Sequence, residues 1–335
     1  MILVTGGTGL VGAHLLYQLT QKEEKVRVLR RATSSISQTE KIFSFYTSQP
    51  EKYYSRIEWI EGDILDIDSL LQAMDGIEKV YHTAAMVSFD PQDEAEILET
   101  NIAGTANVVN ACLEKKIKKL CYVSSVAALG RAGIEGVITE KTEWKNGQKA
   151  SSYAISKHEA EREVWRGIAE GIKAVIVNPA IILGAGNFNT GSSRMFQTVY
   201  NGLKFYTRGV NGYVDVNDVA KAMILLMEGK YSGERFILNG ENLSYQQTFD
   251  MMARSLGVEA PKYKAGKFLS ELGWRMLRAG SFFTGKSPLV TKQTARTANS
   301  IYHYSNEKFV KATGMHFTPM AGSIEKTAEI FLKYR

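Results

Sequence analysis

The sequence predicts an α/β protein: a doubly wound, mostly parallel sheet with a smaller, discontinuous C-terminal region. Three observations carry this. The apolar run Ile2–Thr5 breaks into glycines spaced three and three apart, Gly6, Gly9 and Gly12. Short apolar runs then alternate with stretches of helical spacing as far as Pro179, the way successive βαβ units read. Beyond Pro179 that regularity fades, and only Arg235–Leu238 returns to strand character.

Taken in order, Ile2–Thr5 is the first strand and Leu10–Leu19 the helix it feeds. Val26–Leu29 is the second strand. The polar and aromatic stretch Thr33–Ser55 reads as a loop with one short helix. Ile57–Ile60 is the third strand, followed by Gly62 and Asp63, and Asp66–Met74 is a short helix with acidic residues in its first turn. Lys79–His82 is the fourth strand, Glu94–Lys115 a long helix and Leu120–Val123 the fifth strand. Tyr153–Ala169 is helical and Ala174–Val177 is the sixth strand. Gly184–Arg194, rich in Gly, Asn and Ser, is a loop. Tyr213–Asp218 leads into a helix over Val219–Met227 that Asn217 or Asp218 can cap. Arg235–Leu238 is expected to rejoin the main sheet. Short helices follow, one of them (Phe268–Phe283) aromatic and basic. Ordinary packing, closure over a pocket and contact with a membrane surface are the three roles open to it.

Composition narrows the function. A 335-residue chain with 44% hydrophobic residues can bury a large core. The net charge of +6 comes from scattered basic residues, which reads as a solvated surface and not a nucleic-acid or lipid face. Such an excess also suits a polyanionic ligand. No run approaches the ~18 apolar residues of a membrane span. Met1 passes directly into a strand with no leader-like segment, so a cytoplasmic protein without stable membrane insertion is expected. Cys112 and Cys121 sit in apolar surroundings, which suits a reducing compartment. The five histidines and two cysteines show no metal-ligand spacing, and no metal is expected.

The glycine turn leaves a strand sharply, brings backbone N–H groups toward a pyrophosphate and lets the next helix pack close to the sheet. Each demand removes a Cβ. Thr8, Leu10 and Val11 complete the turn, and the helix start adds partial positive charge. The turn therefore predicts a dinucleotide. At the end of the second strand an acidic residue would bind a ribose 2′-hydroxyl, but the chain has Arg30 and Arg31. A guanidinium suits a 2′-phosphate, so NADP(H) is expected over NAD(H). Thr33 and Ser34 can add hydroxyl donors. The plainer alternative is that both arginines are solvated strand-end residues. Asp63, with Ile64 beside it, stands where a carboxylate can accept from the adenine amino group or cap the next helix.

Tyr153 and Lys157 are four apart and share a helix face. A free tyrosine, with a pKa near ~10, is a poor base at neutral pH; a nearby ammonium would bring it closer to the working range. Lys157 can also hold the nicotinamide ribose. The fifth strand ends in Ser124 and Ser125, beyond the carboxyl edge of the sheet where ligands bind in open α/β folds. A serine hydroxyl there can polarise a carbonyl as charge develops on its oxygen; in the local alternative the serines only satisfy backbone groups.

With these residues in place the chain resembles an extended short-chain dehydrogenase/reductase of the NAD-dependent epimerase/dehydratase superfamily, with a Rossmann fold. Thr5–Gly12, Gly62-Asp63, Asn101–Thr105, Ser124-Ser125 with Tyr153-x-x-x-Lys157, and Asn178-Pro179-Ala180 carry the likeness. It covers residues 1–240 well and the remainder loosely. His82–Ala85, Arg30 and Glu140–Trp144 point within it to the dihydroflavonol-reductase-like and 3β-hydroxysteroid-dehydrogenase-like branch. The resemblance implies that Ser125 is the catalytic serine with Tyr153 and Lys157, and that Ser124 lies nearer the cofactor. Asn101 would brace the site, a water being one intermediary. Ala84 and Ala85 would pass close to the cofactor, and Pro179 and Ala180 would present backbone to the nicotinamide amide. It implies an NADP-binding unit of residues 1–180 plus about 213–240, and a substrate-binding region of 181–212 plus about 241–335.

The expected reaction is reduction of a ketone or aldehyde on a hydrophobic small molecule. Met86, Ser88, Phe89, Leu129, Asn178 and Phe188 are the expected substrate side, with Trp144 and Phe196 nearby. For each apolar one an ordinary core or lid role is the rival. A nucleotide-sugar epimerase and a non-catalytic NADP-binding regulator are the alternative functions. A dehydratase would want an acidic pair where Val126-Ala127 stand. The helices Glu94–Lys115 and Tyr153–Ala169 pair in many relatives, so a homodimer is one expectation and a monomer another.

Overall fold

The computed structural model describes residues 1–22, 24–131, 136–145, 147–148, 150–266 and 297–335. The expected helix Phe268–Phe283 lies outside the described residues.

The strands in chain order are β1 (Ile2–Thr5), β2 (Val26–Arg30), β3 (Ile57–Glu61), β4 (Lys79–His82), β5 (Lys119–Val123), β6 (Val137–Ile138), β7 (Ala174–Pro179), β8 (Ile181–Leu183), β9 (Phe205–Tyr206), β10 (Val210–Asp215), β11 (Glu234–Leu238), β12 (Glu241–Ser244), β13 (Tyr263–Lys264) and β14 (His303–Tyr304). Seven of them form one sheet in the order β11-β7-β5-β4-β1-β2-β3, and every pairing in it is parallel. The chain runs outward from β1 to β3, then crosses back to β4 and proceeds the other way. The switch lies between β1 and β4, and the crevice at the strand ends there is where such sheets hold ligands.

The strands are apolar in succession because both faces are covered. Val4, Val28 and Val177 face the layer formed by helices Leu10–Gln21 and Val216–Glu228, with Leu15, Leu16 and Met223. Leu3, Leu120 and Ile176 face the other layer, with Val108, Val109 and Val164 of helices Gly104–Glu114 and Ser152–Ala169. Each such side chain, taken fully out of water, stabilises the fold by about 1.5–3 kcal/mol.

Several boundaries differ from expectation. Thr33–Ser55 contains two helices, Ser37–Ser44 and Pro50–Tyr54. Its aromatics are packing residues: Phe43 is fully buried, and Tyr17 meets Phe43, Tyr46 and Tyr53. The cap before the Val216–Glu228 helix is Asp215, which accepts the Asn217 N–H at 2.7 Å; it is neither Asn217 nor Asp218. Asp218 instead accepts from the backbone and hydroxyl of Thr318. The stretch Glu94–Lys115 is an α-helix over Glu94–Leu98, a π turn over Glu99–Ala103 and an α-helix over Gly104–Glu114. A second sheet, β12-β10-β8, was not anticipated; it packs under helices Tyr245–Leu256 and Met320–Tyr334.

Candidate active site

The site begins where β1 ends. Gly6 has φ +74°, and a Cβ on it would lie 2.5 Å from the Ala84 nitrogen. A Cβ on Gly12 would lie 2.2 Å from the Gly6 carbonyl oxygen. Any side chain at either position would push β1 from β4 or the helix from its turn. Gly9 is exposed, precedes the helix as its N-cap and offers no side chain to its N–H groups. Backbone donors at a helix start, with no internal side-chain acceptor, fit a phosphate group. The residues present therefore suit a dinucleotide pyrophosphate.

At the end of β2, Arg30 lies 4.0 Å from the Glu61 carboxylate, beyond hydrogen-bond distance, and Arg31 is exposed. Asp63 accepts the Leu65 N–H at 3.0 Å, while Asp66 caps the following helix; the capping role expected as one choice for Asp63 belongs to Asp66. Ile64 is buried against Gly104. Ala84 is half-buried and Ala85 exposed along the crevice. Pro179 is paired in β7 with Leu238, and the Ala180 N–H donates to the Leu238 carbonyl.

Asn101 sits in the π turn, and its side chain is fully committed. Its Oδ1 accepts the Met86 N–H at 2.7 Å, and its Nδ2 donates to the Met86 carbonyl at 3.0 Å and to Ser156 Oγ at 2.9 Å. Ser156 in turn donates to the Tyr153 carbonyl. One amide thus joins the segment after β4 to the helix that carries Tyr153, with no intermediary between them. Single π turns of this kind commonly sit at functional sites.

Ser125 caps a 3-10 turn, and its hydroxyl accepts the Ala127 N–H at 3.1 Å. The Tyr153 hydroxyl lies near enough to Ser125 for the serine to favour its ionised form, and Phe89 meets the Tyr153 ring edge-on with centroids 5.6 Å apart. Burial raises the Tyr153 pKa from its usual value, opposed by the nearby Ser125. The lysine was expected to pull it down, but Lys157 points elsewhere. Its ammonium donates to the Val123 carbonyl at 2.7 Å and to Tyr122 Oη at 3.2 Å. Burial lowers the Lys157 pKa to about 7, with Glu161 opposing the shift.

Beneath the serines lies a polar cluster that sequence reasoning missed. Glu161, buried, receives Ser124 Oγ at 2.6 Å and Asn178 Nδ2 at 2.7 Å on Oε2, and Arg235 at 2.9 Å and Trp165 Nε1 at 3.2 Å on Oε1. Asn178 Nδ2 also donates to the Ser125 carbonyl at 3.0 Å. The Ser124 hydroxyl and the Asn178 side chain therefore face inward: Asn178 supports the serine from behind and does not line a substrate pocket. The available signal was the four-residue step from Tyr153 to Lys157 to Glu161 along one helix face.

Other expected pocket residues are packing residues. Leu129 lies with Ile138, Ile237 and Tyr304, and Phe188 and Phe196 lie in the C-terminal core, where Phe188 meets Phe331. Trp144 stacks on His158 with centroids 4.3 Å apart. The residues that stay at the crevice are Met86, Ser88 and Phe89, although the Ser88 hydroxyl is held by Asp93. Among the described residues no group of side chains could hold a metal ion, and no helix is long and apolar enough to cross a membrane.

Comparison with known proteins gives this geometry its context. Residues 2–239 match the model of the NAD dependent epimerase/dehydratase family. The chain is 30% identical to a putative dihydroflavonol 4-reductase of Synechocystis sp., over 93% of this chain and 89% of the relative. It is 25% identical to cinnamoyl-CoA reductase 1 of Petunia hybrida, over 98% and 91%. The crystal structure of gox2253 superposes with a TM-score of 0.83 at 28% identity, covering 100% of this chain and 98% of that one. With its glycine turn, its parallel sheet and its serine, tyrosine and lysine around one crevice, the chain belongs to the NAD-dependent epimerase/dehydratase family of extended short-chain dehydrogenases/reductases.

Proposed function

We propose that this oxidoreductase uses NADPH to reduce a ketone or aldehyde on a hydrophobic small molecule. The observation that carries the reading is the placing of Tyr153 beside Ser125 at the carboxyl end of β5. A bound reduced nicotinamide supplies hydride; the remaining tasks fall to the chain. The Ser125 hydroxyl, oriented by the Ala127 N–H and backed by Asn178, donates to the carbonyl oxygen of the substrate. Tyr153 gives that oxygen its proton, and Lys157, held by the Val123 carbonyl and Tyr122 Oη, would hold the nicotinamide ribose. Burial keeps Tyr153 protonated at neutral pH, which suits a proton donor and hence the reductive direction. An epimerase would first need the same tyrosine to accept a proton.

Arg30 supports NADPH over NADH, because its guanidinium has no full hydrogen-bonding partner in Glu61. Exposed Val87 and Phe89 beside the site support an apolar substrate. The relatives named as dihydroflavonol and cinnamoyl-CoA reductases support an aromatic carbonyl compound. The test is NADPH consumption across aromatic aldehydes, ketones and UDP-sugars, with Tyr153→Phe as control. Turnover of the carbonyl panel, lost in the variant, is expected. UDP-sugar conversion without net cofactor consumption would establish the epimerase instead. Cofactor binding with no turnover of any substrate would favour a regulator.

A further inference from the structure

Glu161 is buried and collects four donors on two oxygens. Taking a carboxylate out of water is costly, and a buried ion pair seldom adds net stability over hydrophobic packing of the whole pair. The partners are also specific. Ser124 and Asn178 flank the Ser125 backbone, and Asn178 holds the Ser125 carbonyl directly. Arg235 arrives from edge strand β11, itself anchored on the Glu140 carbonyl, while the Glu140 carboxylate accepts the Ile237 N–H. Glu161 also lies one helical turn from Lys157 on the same face.

We propose that Glu161 is a positioning residue with two linked effects: through Asn178 and Ser124 it fixes Ser125, and through its charge it keeps Lys157 ionised. Arg235 sets how much of that charge Lys157 feels. The proposal builds on the reading of Ser125, Tyr153 and Lys157 as the reducing site. The other groups facing Lys157 are Tyr122 on β5, His82 on β4 and Tyr153 on its own helix. His82 is held neutral, with a pKa lowered to about 3 by burial, and Tyr122 is held neutral by burial as well. Glu161, one helical turn along the same face, is therefore the carboxylate that favours the charged form of Lys157.

The test needs no substrate. Lys157 normally titrates at 10.5 and in the fold at about 7. Between those values the unfolded chain binds a proton that the folded chain does not, so stability rises with pH from the folded value upward. Melting temperature is measured against pH from 5 to 10 for wild type, Glu161→Gln and Arg235→Gln, with NADPH fluorescence titrations over the same range. Removing the carboxylate should move the onset of the rise, and the midpoint of NADPH binding, about one pH unit toward acid. Removing the guanidinium should move both toward alkali. Opposite shifts are the expected result, because a purely structural role would lower stability in both variants without moving either midpoint in opposite senses. Unmoved midpoints, or shifts in the same direction, overturn the proposal. Should Glu161→Gln fail to fold, the alkaline shift of Arg235→Gln alone decides. If wild type binds no NADPH, the reductase reading fails while the melting profiles still judge Glu161.

Discussion

Around β1 the crevice is built from main chain: three glycines, a helix start and backbone donors, within eight consecutive residues. Beneath β5 and β7 it is built from side chains drawn from five places: the π turn, the end of β5, the Tyr153 helix, the end of β7 and the edge strand β11. The first arrangement tolerates almost no added atom but needs no particular side-chain chemistry. The second tolerates atoms and depends on which atom donates and which accepts. A main-chain site should therefore fail sterically and all at once, and a side-chain site should fail by degrees, contact by contact.

Breaking each half checks this contrast, beginning with the largest effect. Tyr153→Phe should lower turnover of NADPH with an active carbonyl substrate by roughly a hundredfold to ten-thousandfold, the range for loss of a proton donor. Its NADPH dissociation constant should stay within a few-fold of wild type; a matching loss of binding would place the tyrosine in the cofactor site alone. Gly12→Ala must move the Gly6 carbonyl from a 2.2 Å contact. Overpacking of this kind costs about 1–3 kcal/mol, visible in urea denaturation, and NADPH and NADH binding should fall together.

Arg30→Ala sharpens the comparison, because it is a side-chain contribution on the main-chain side. NADPH affinity should fall about tenfold to a hundredfold, the worth of charge-assisted hydrogen bonds, while NADH affinity stays constant. Equal losses for both cofactors would remove the case for a 2′-phosphate. Asn101→Ala removes the two bonds to Met86 and the one to Ser156 by which Asn101 joins that segment to the Tyr153 helix. It should cost about 1–3 kcal/mol in stability and lower kcat more than cofactor affinity. Phe89→Ala should be mildest. An edge-to-face aromatic pair is worth about 0.5–1.5 kcal/mol, so a few-fold rise in KM with nearly unchanged kcat is expected.

The same contrast explains what the sequence disclosed. Gly6, Gly9 and Gly12 are legible because only the missing Cβ matters, and absence of a side chain is written in the letters. Arg30 is legible because an acidic residue is the usual occupant and a basic one reverses the sign. The helix register makes Tyr153 and Lys157 legible as a pair, and it reached Glu161 too, but nothing in one segment announces that Ser124, Asn178 and Arg235 converge on it. Leu129 and Phe188 were read as pocket residues because an apolar side chain near a motif looks alike whether it lines a cavity or fills a core. Only tertiary packing separates those cases. The second sheet β12-β10-β8 is not legible for a related reason: its strands carry no alternation long enough to register.

The π turn at Glu99–Ala103 makes the site sensitive to the number of residues as well as to their kind. A π turn carries one residue more than the α-helix it interrupts. Deleting a single residue between 99 and 103 would let the helix close into regular α geometry, which the backbone favours. The flanking α segments would keep nearly their present alignment, because the π turn absorbs its extra residue locally, and only the bulged residues would change their facing. Asn101 or its replacement would lose its place between Met86 and Ser156, while Gly104 would still meet Ile64 and the other chemical groups of the crevice would stay where they are. A one-residue change of length in this turn is thus a route to a silent enzyme that leaves the packing of the helix and the other groups of the site intact.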